Sequence, residues 1–209
     1  MIRTSRRRML TYEQVPPSTL LLPETAARDK AKNIFVICGP AGCGKTTIAK
    51  ALFQEYGFPF VESDDYHSKA NNEKLILGLP LCDTDKWDWL IAVREAALEK
   101  LAIECSTVIV DCSTLKRKYR DVLRVAGVDN KHVQVHFVLL NAAEQILRDR
   151  IATRKGHYIT AGVVRRQVDE LEMPSPNEHD VYILDGNGTI EQVKSRAILL
   201  VRQLMKDEK

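Results

Sequence analysis

The sequence predicts a three-layer α/β fold, in which helices cover both faces of a parallel β-sheet. Continuous apolar runs of strand length recur along the chain, and runs that are apolar on both faces are typical of a sheet covered on both sides. These runs lie at residues 34–38, 107–111, 135–140 and 181–184. Amphipathic segments lie between them, and this alternation predicts βαβ units with right-handed crossovers. The amphipathic segments span residues 45–56, 115–126 and 143–154, and another helix is predicted to start at 163–171.

The first predicted helix has the clearest limits. The apolar residues of segment 45–56 fall on one stripe, and Gly57 can end the helix because glycine readily adopts the left-handed conformation of a C-cap. A weaker strand is predicted at residues 58–61. Pro59 limits the pairing of that strand, because proline cannot donate a hydrogen bond to a neighbour.

Length and composition restrict the class of protein. A chain of 209 residues with 44% apolar and 28% charged residues predicts one globular domain with room for a small lid. The net charge of +3, from 31 basic and 28 acidic residues, does not indicate nucleic-acid binding. No window holds about 18 consecutive apolar residues, so we expect no membrane span. The five cysteines include no C-x-x-C pair, which argues against a disulfide framework or zinc site and favours a reducing, cytoplasmic compartment.

The first 32 residues differ from the rest of the chain. They carry a cluster of arginines and several prolines, with no sustained apolar period. We therefore expect a disordered basic arm at 1–32, followed by a single domain at 33–209. The alternative is an organellar transit segment, and with it a mitochondrial location, because the first twelve residues are basic and contain no acid.

Residues 39–46 read GPAGCGKT and match G-x-x-x-x-G-K-[ST] at the point where a buried strand meets an amphipathic helix. In this arrangement glycines let successive backbone N–H groups turn towards phosphate oxygens, and the helix N-terminus favours negative charge. Lys45 would reach the β- and γ-phosphates, while Thr46 would bind Mg²⁺. The sequence therefore predicts a nucleoside triphosphate site made by Gly39, Ala41, Gly42, Cys43, Gly44, Lys45, Thr46 and Thr47.

The remainder of the chain indicates how the nucleotide is used. A GTPase normally carries N-K-x-D for guanine, and here Asn130 and Lys131 are followed by His132 and Val133 in place of that pattern. A motor protein or large ATPase would need a longer chain. A kinase of small molecules fits the length that remains.

Acidic residues follow the weak second strand, at the edge of the sheet where α/β proteins bind ligands. On an extended chain, Glu62 and Asp64 alternate to one side. One acid could then orient Mg²⁺ and its water, while the other accepts the proton of an acceptor hydroxyl. A solvated acidic turn is the alternative for this segment, and His67 could equally be a structural hydrogen-bonding residue.

Two groups of basic residues could bind an anion. Arg150 and Arg154 are four residues apart and share one helical face, which predicts a lid that clamps phosphate, with an exposed arginine pair as the alternative. A second group begins the helix after the third strand and favours an anionic small molecule. Nucleic acid is a weaker choice there, because no aromatic platforms are interleaved. The second group comprises Lys116, Arg117, Lys118 and Arg120.

Taken in order, these motifs resemble those of the D-gluconate kinase family. The resemblance runs from about residue 33 to 185 and is most specific in three segments at family spacing. These are GLPLCDTDKWDWL at 78–90, CSTLKRKYRD at 112–121 and RIATRKGHY at 150–158. Further matching residues are Asp64, His67, Asn71, Lys74, Gln167, Leu171, Glu172 and Pro174.

The resemblance implies ATP- and Mg²⁺-dependent phosphorylation of gluconate at its 6-hydroxyl. The implied fold is that of P-loop kinases, with a five-stranded parallel sheet of order 2-3-1-4-5 and a helical lid at about 154–176. Asp64 would be the base, Arg150 would lie along adenine, and Arg154 would clamp phosphate beside Lys45. The metal ligands would be Thr46 and Glu62. The substrate contacts would be Asp64, His67, Lys86, Cys112, Ser113, Lys116 and His157.

The chain departs from the family pattern at three positions. Lys86 stands where arginine is usual, Asp88 replaces a usual proline, and Val168 replaces a usual aromatic residue. Lys86 keeps the charge but loses the two-pronged hydrogen bonding of arginine to a carboxylate. Two other functions stay open: a kinase of another acceptor such as shikimate, and a nucleotide-binding regulator without activity. A homodimer is left open as well.

Overall fold

Parallel strands form one five-stranded sheet in the computed structural model, which describes residues 31–103, 105–153 and 161–207. The strands are β1 (Lys32–Cys38), β2 (Phe60–Glu62), β3 (Thr107–Asp111), β4 (Val133–Asn141) and β5 (Val181–Asp185). Their spatial order is β2-β3-β1-β4-β5, so the predicted order is confirmed. Residues 1–30 of the predicted arm lie outside the described residues, and Lys32 already pairs within the sheet.

Helices pack on both faces of this sheet. Those of the described residues are α1 (Lys45–Tyr56), α2 (Lys69–Ile76), α3 (Asp83–Ile103), α4 (Arg117–Asp129), α5 (Glu144–Ala152), α6 (Ala161–Glu170) and α7 (Ile190–Asp207). Helix α1 has its predicted limits and ends at Gly57, whose φ is 72°. The predicted α4, α5 and α6 are confirmed with shifted ends, whereas α2, α3 and α7 were not predicted. None of the described helices is long and apolar enough to cross a membrane.

Side chains of β1 enter the core on both sides of the sheet. Ile34 and Val36 pack with α3 and α4, while Phe35 and Ile37 pack with α1, α5, α6 and α7. All four side chains are at most 3% exposed. Burial on both faces explains the continuous apolar run that predicted this strand.

The carboxyl ends of the strands meet at one edge of the sheet. In the parallel register, Asp111 at the end of β3 pairs with Ile37 of β1 on one side and with Glu62 of β2 on the other. The loop at residues 39–46 leaves β1 at the same edge. Strand order therefore brings this loop and two acidic residues together, although they are far apart in the chain.

A buried ion pair fixes α4 against the segment that leads to β5. Arg120 is 1% exposed and Glu178 is 7% exposed, and the guanidinium donates two hydrogen bonds of 2.9 Å to the carboxylate. Arg120 also donates to the carbonyl oxygen of Glu172 at 3.1 Å. The hydrogen bond from Arg120 lowers the pKa of Glu178 to about 2. The prediction that Arg120 joins an anion-binding cluster is therefore wrong, because its guanidinium is buried and paired within the fold.

We predict that Arg120→Met lowers the free energy of unfolding by about 1.5–3 kcal/mol, because Glu178 would lose both hydrogen bonds from Arg120 and would keep only Arg124, at 2.6 Å, as its counter-charge. Arg117→Met is the control, since Arg117 is exposed on the same helix, and it should cost less than about 1 kcal/mol. Urea unfolding followed by circular dichroism measures both. Equal losses would contradict the role given to the ion pair.

The pH dependence of this difference provides a second readout. The folded pKa of Glu178 is about 2 and its ordinary value is 4.5, so the pair stabilises fully above that ordinary value. Its stabilisation is lost as the pH falls towards the folded pKa. The difference in free energy of unfolding between the native protein and the Arg120 variant should therefore become smaller as the pH falls.

Candidate active site

The loop between β1 and α1 has the backbone of a phosphate cradle. Gly39 and Gly42 have φ values of 133° and 84°, in the left-handed region. A Cβ atom added at either position would lie only 2.8 Å or 2.7 Å from a backbone carbonyl oxygen. Glycine at both positions is therefore needed for this path of the chain.

The loop lines a cavity of about 220 Å³. Its lining residues are Gly42, Gly44, Lys45, Thr46, Thr47, Arg150 and Ile190. Most of the predicted nucleotide-binding residues thus surround one space at the start of α1. A wider hollow of about 710 Å³ runs along the second half of α3 and contains none of the predicted site residues.

Arg150 closes one side of the loop cavity. Its guanidinium donates to the carbonyl oxygens of Gly186 and Gly188, each at 3.0 Å, and to that of Cys43 at 3.4 Å. Helix α5 is thereby tied to the phosphate loop and to the connection between β5 and α7. The structure places Arg150 at the nucleotide cavity, and its contact with adenine stays a prediction.

Thr46 joins the first turn of α1 to the acids at the sheet edge. Its hydroxyl donates to Asp111 Oδ2 at 2.6 Å and lies 3.5 Å from Glu62 Oε1. Burial raises the pKa of Glu62, and the neighbouring charges of Asp111 and Asp64 raise it further. Negative charge is therefore concentrated at this point of the crevice.

These residues fit a magnesium ion. A hydroxyl and two carboxylates are hard oxygen donors, and Mg²⁺ in kinases is usually held by one or two carboxylates together with substrate phosphates. No group of three or more histidine, cysteine or acidic side chains suited to a metal occurs in the part of the chain that the structure describes. The donor set is thus one that would be completed by a nucleotide.

Lys45 lies half-buried within the loop, and its Nζ atom is 3.5 Å from the carbonyl oxygen of Pro40. Burial opposes its charge, but electrostatic interactions with Cys43, Asp111 and Asp64 outweigh burial and raise the pKa of Lys45. The ammonium group therefore stays charged at neutral pH. It lies in the electrostatic field of acids from two different strand ends.

The chain turns immediately after β2, and the expectation of an extended segment through Asp64 is wrong. Residues Ser63–Tyr66 form a 3₁₀ turn, which the indole of Trp89 holds by donating to the carbonyl oxygen of Ser63 at 2.6 Å. Asp64 still lies close enough to the phosphate loop for its charge to help raise the pKa of Lys45. Its side chain is 83% exposed, so it is open to an incoming molecule.

His67 lies beneath Asp64 and is almost completely covered. Its side chain is 5% exposed, its Nε2 atom is 4.0 Å from Asp64 Oδ1, and its ring stacks on Trp89 with 4.3 Å between centroids. Burial lowers the pKa of His67 although Asp64 opposes this effect, so the ring is neutral near pH 7. Its Nδ1 atom is buried without a hydrogen-bond partner among the described residues.

Lysines from α3 and the start of α4 gather around Tyr119. Lys86 lies 4.8 Å above the ring and donates to its hydroxyl at 3.2 Å, and Lys116 lies 5.8 Å from the same ring. Asp83 occupies this cluster. It accepts from Lys118 and Tyr119, which lower its pKa to about 2, and it is 4.0 Å from Lys116.

The other predicted substrate and lid residues differ in where the structure places them. Cys112 is fully buried in the core, and burial raises its pKa to about 12, so we withdraw its side chain from the substrate contacts. Ser113 is half-buried, and its carbonyl oxygen accepts from the N–H group of Gly39 at 3.1 Å. Arg154 and His157 lie outside the described residues, and their roles stay predictions.

Sequence reasoning gave no role at this site to Asp111 or to Gln167, although Gln167 matches the family pattern. Asp111 could have been found, because an acid that ends a buried apolar run faces the same crevice as Glu62. Gln167 of α6 accepts a hydrogen bond of 2.6 Å from the N–H group of Ala41. These two residues are 126 positions apart, and no local pattern in the sequence indicates their contact.

Known proteins resemble this chain over most of its length. A family model described as an AAA domain matches residues 34–174. A probable gluconokinase of Schizosaccharomyces pombe is 38% identical over 179 residues, which cover 85% of this chain and 92% of the relative. The thermosensitive gluconokinase of Escherichia coli is 31% identical, with 83% and 91% covered.

A solved structure extends the comparison to three dimensions. The crystal structure of a gluconokinase from Sinorhizobium meliloti superposes with a TM-score of 0.72 at 31% identity, and covers 85% of this chain and 96% of that one. Agreement of this extent, in sequence and in fold, shows that the chain belongs to the gluconokinase family.

Proposed function

We propose that the chain transfers the γ-phosphoryl group of ATP to the 6-hydroxyl of D-gluconate, giving 6-phospho-D-gluconate and ADP. The observation that carries the proposal is the meeting of two sets of groups at one sheet edge. Lys45 and Thr46 belong to the phosphate loop, and Asp64 is an exposed carboxylate whose charge helps to raise the pKa of Lys45. The acceptor is taken from the names of the relatives, which are gluconokinases.

The phosphate loop and the neighbouring acids would hold MgATP together. Thr46, Asp111 and Glu62 would bind Mg²⁺, which when bound offsets charge on the β- and γ-phosphates. The Lys45 ammonium would bind the phosphate oxygens together with the N–H groups of the loop other than that of Ala41, which donates to Gln167. The geometry supports this assignment, because the Thr46 hydroxyl oxygen lies 2.6 Å from Asp111 Oδ2 and 3.5 Å from Glu62 Oε1.

Asp64 is the proposed proton acceptor. As the 6-hydroxyl oxygen of gluconate forms a bond to the γ-phosphorus, its proton passes to Asp64. The bond between the γ-phosphorus and the β–γ bridging oxygen breaks, and ADP leaves. The neutral His67 ring stacks on Trp89, and its Nε2 atom lies 4.0 Å from Asp64 Oδ1.

The lysines around Tyr119 are proposed to bind the carboxylate of gluconate. The Asp83 carboxylate already lies among them, which supports their suitability for such a group. Lys86 is one helical turn, about 5 Å along the axis, before Trp89, which holds the Asp64 turn. The two ends of an extended sugar acid could therefore contact Lys86 and Asp64.

The lid would complete the site. Arg154 is proposed to clamp the transferred phosphoryl group and His157 to contact the acceptor. We also propose a cytoplasmic location, since the five cysteines are free, as is usual in a reducing compartment. The oligomeric state is left open.

The proposed reaction is tested by coupled ADP release with gluconate, with shikimate and without acceptor. We expect turnover that depends on gluconate and on Mg²⁺, and phosphorus NMR should locate the new phosphate on C6. Turnover with shikimate in place of gluconate would assign a different acceptor. Nucleotide binding without any transfer would overturn the enzymatic proposal.

Asp64 and Asp65 offer a matched comparison, because they are neighbours of identical chemistry in one exposed turn. Asp64→Asn should lower kcat by roughly 10²–10⁴ while MgATP binding persists, since the amide cannot accept the proton. Asp65→Asn should lower kcat by less than about tenfold, because we give Asp65 no part in proton transfer. Formation of 6-phosphogluconate at saturating substrates measures both. A larger loss of kcat in Asp65→Asn than in Asp64→Asn would show that Asp64 is not the base.

A further inference from the structure

Helix α6 reaches the phosphate loop through the side chain of Gln167. Its Oε1 atom accepts a hydrogen bond of 2.6 Å from the backbone N–H group of Ala41, the third residue of the loop. The identity of the accepting atom is fixed by chemistry, because a backbone N–H group needs an acceptor and the amide nitrogen is only a donor. The mechanism described above gives Gln167 no role.

The position of Gln167 is set by packing of its helix. Val164 is 0% exposed and lies in the same apolar cluster as Ala41, Cys43 and Ile151. Gln167 is three residues after Val164 and therefore lies close to the same flank of α6. A side chain on a packed helix is held more precisely than one on a loop, which suits a group that must meet a reacting atom.

The peptide unit that Gln167 contacts is also the one that Lys45 contacts. The carbonyl oxygen of Pro40 is 3.5 Å from Lys45 Nζ, and the N–H group of Ala41 in the same peptide donates to Gln167. Lysine at this position of the motif reaches the β- and γ-phosphates. Because the C=O and N–H groups of a trans peptide point in opposite directions, Lys45 and Gln167 hold this peptide unit of the loop from opposite sides.

The hydrogen bond with Ala41 uses the amide oxygen of Gln167 and not its amide nitrogen. A glutamine amide has one oxygen acceptor and two N–H donors, and the Ala41 N–H group uses the oxygen. None of the hydrogen bonds found among the described residues uses Nε2 of Gln167. A neutral donor of this kind stabilises negative charge on phosphoryl oxygens during transfer.

We propose that Gln167 is a further catalytic residue, whose Nε2 donates a hydrogen bond to the γ-phosphoryl group while Ala41 holds Oε1. The proposal rests on the proposed function, since it requires that this loop bind a nucleotide whose γ-phosphoryl group is transferred. No bond to Gln167 forms or breaks beyond hydrogen bonds. The residue acts as an oriented donor that α6 brings to the loop.

Two substitutions separate the donor from the anchor and from the effect of charge. Gln167→Glu keeps an oxygen that can accept from Ala41, removes the donor and adds a negative charge. Gln167→Met removes both donor and acceptor at similar length without adding charge, so a loss in both variants is not explained by charge alone. We expect Gln167→Glu to lower kcat by roughly 10²–10³ and Gln167→Met by at least about tenfold. ADP lacks the γ-phosphoryl group, so its dissociation constant should change by less than about threefold in both variants.

The control is Gln203→Glu, the same chemical change at an exposed position of α7. It should leave kcat, ADP binding and the melting temperature unchanged. Melting curves of the Gln167 variants show whether each is folded, and the glutamate variant retains the anchor if its melting temperature stays within a few degrees of that of the native protein.

Two results would overturn the proposal. Full activity of Gln167→Glu with loss in Gln167→Met would make Gln167 an anchor only. Tighter binding of ADP or an ATP analogue by the Gln167 variants, with unchanged kcat, would mean that Gln167 competes with the nucleotide for the Ala41 N–H group.

The native protein is assayed first. If it shows no gluconate-dependent turnover, the proposed acceptor has failed, and the same comparison is made on acceptor-independent ATP hydrolysis.

Discussion

The hydrogen bond between the Thr46 hydroxyl and Asp111, 2.6 Å long, joins the two halves of the site on which the rest of the account depends. It links the first turn of α1 to the end of β3, and β3 pairs with β1 on one side and with β2 on the other. The parallel register therefore sets the spacing between the phosphate loop and the acids. Any shift of β3 would move Asp111 away from Thr46 and would also displace Glu62, its register partner.

The acceptor side is built on a second support that is independent of the first. Trp89 of α3 holds the turn that carries Asp64 and stacks on His67, so the position of the proposed base is set by a helix and not by the strand alone. The same helix carries Lys86 to the ring of Tyr119 on α4. Glu170 pairs there with Lys86 at 3.6 Å, and Asp83 pairs with Lys116 and Lys118. Arg120 instead pairs with Glu178 inside the fold. Basic residues that look alike in the sequence therefore serve two different purposes.

The fold was largely predictable because strands buried on both faces leave a continuous apolar run, and because a glycine-rich loop with lysine and threonine has one well-known geometry. The turn at Asp64 was not predictable, since it depends on a hydrogen bond from Trp89, which is distant in sequence. Burial of Arg120 was missed for the same reason, because its partner Glu178 is 58 residues away in the sequence. Short-range sequence patterns predict which face of a helix or strand is apolar. They do not predict which polar side chain forms a hydrogen bond with a residue distant in the sequence.

The account is tested most directly by the magnesium dependence of Asp111→Asn. An asparagine oxygen can still accept from Thr46, so the fold should persist, but the charge that would hold the cation is lost. We expect the Mg²⁺ concentration for half-maximal activity to rise at least about tenfold, as is usual when a group that supports a metal is removed. An unchanged Mg²⁺ requirement with native activity would contradict the claim that the ends of β1, β2 and β3 form one MgATP site.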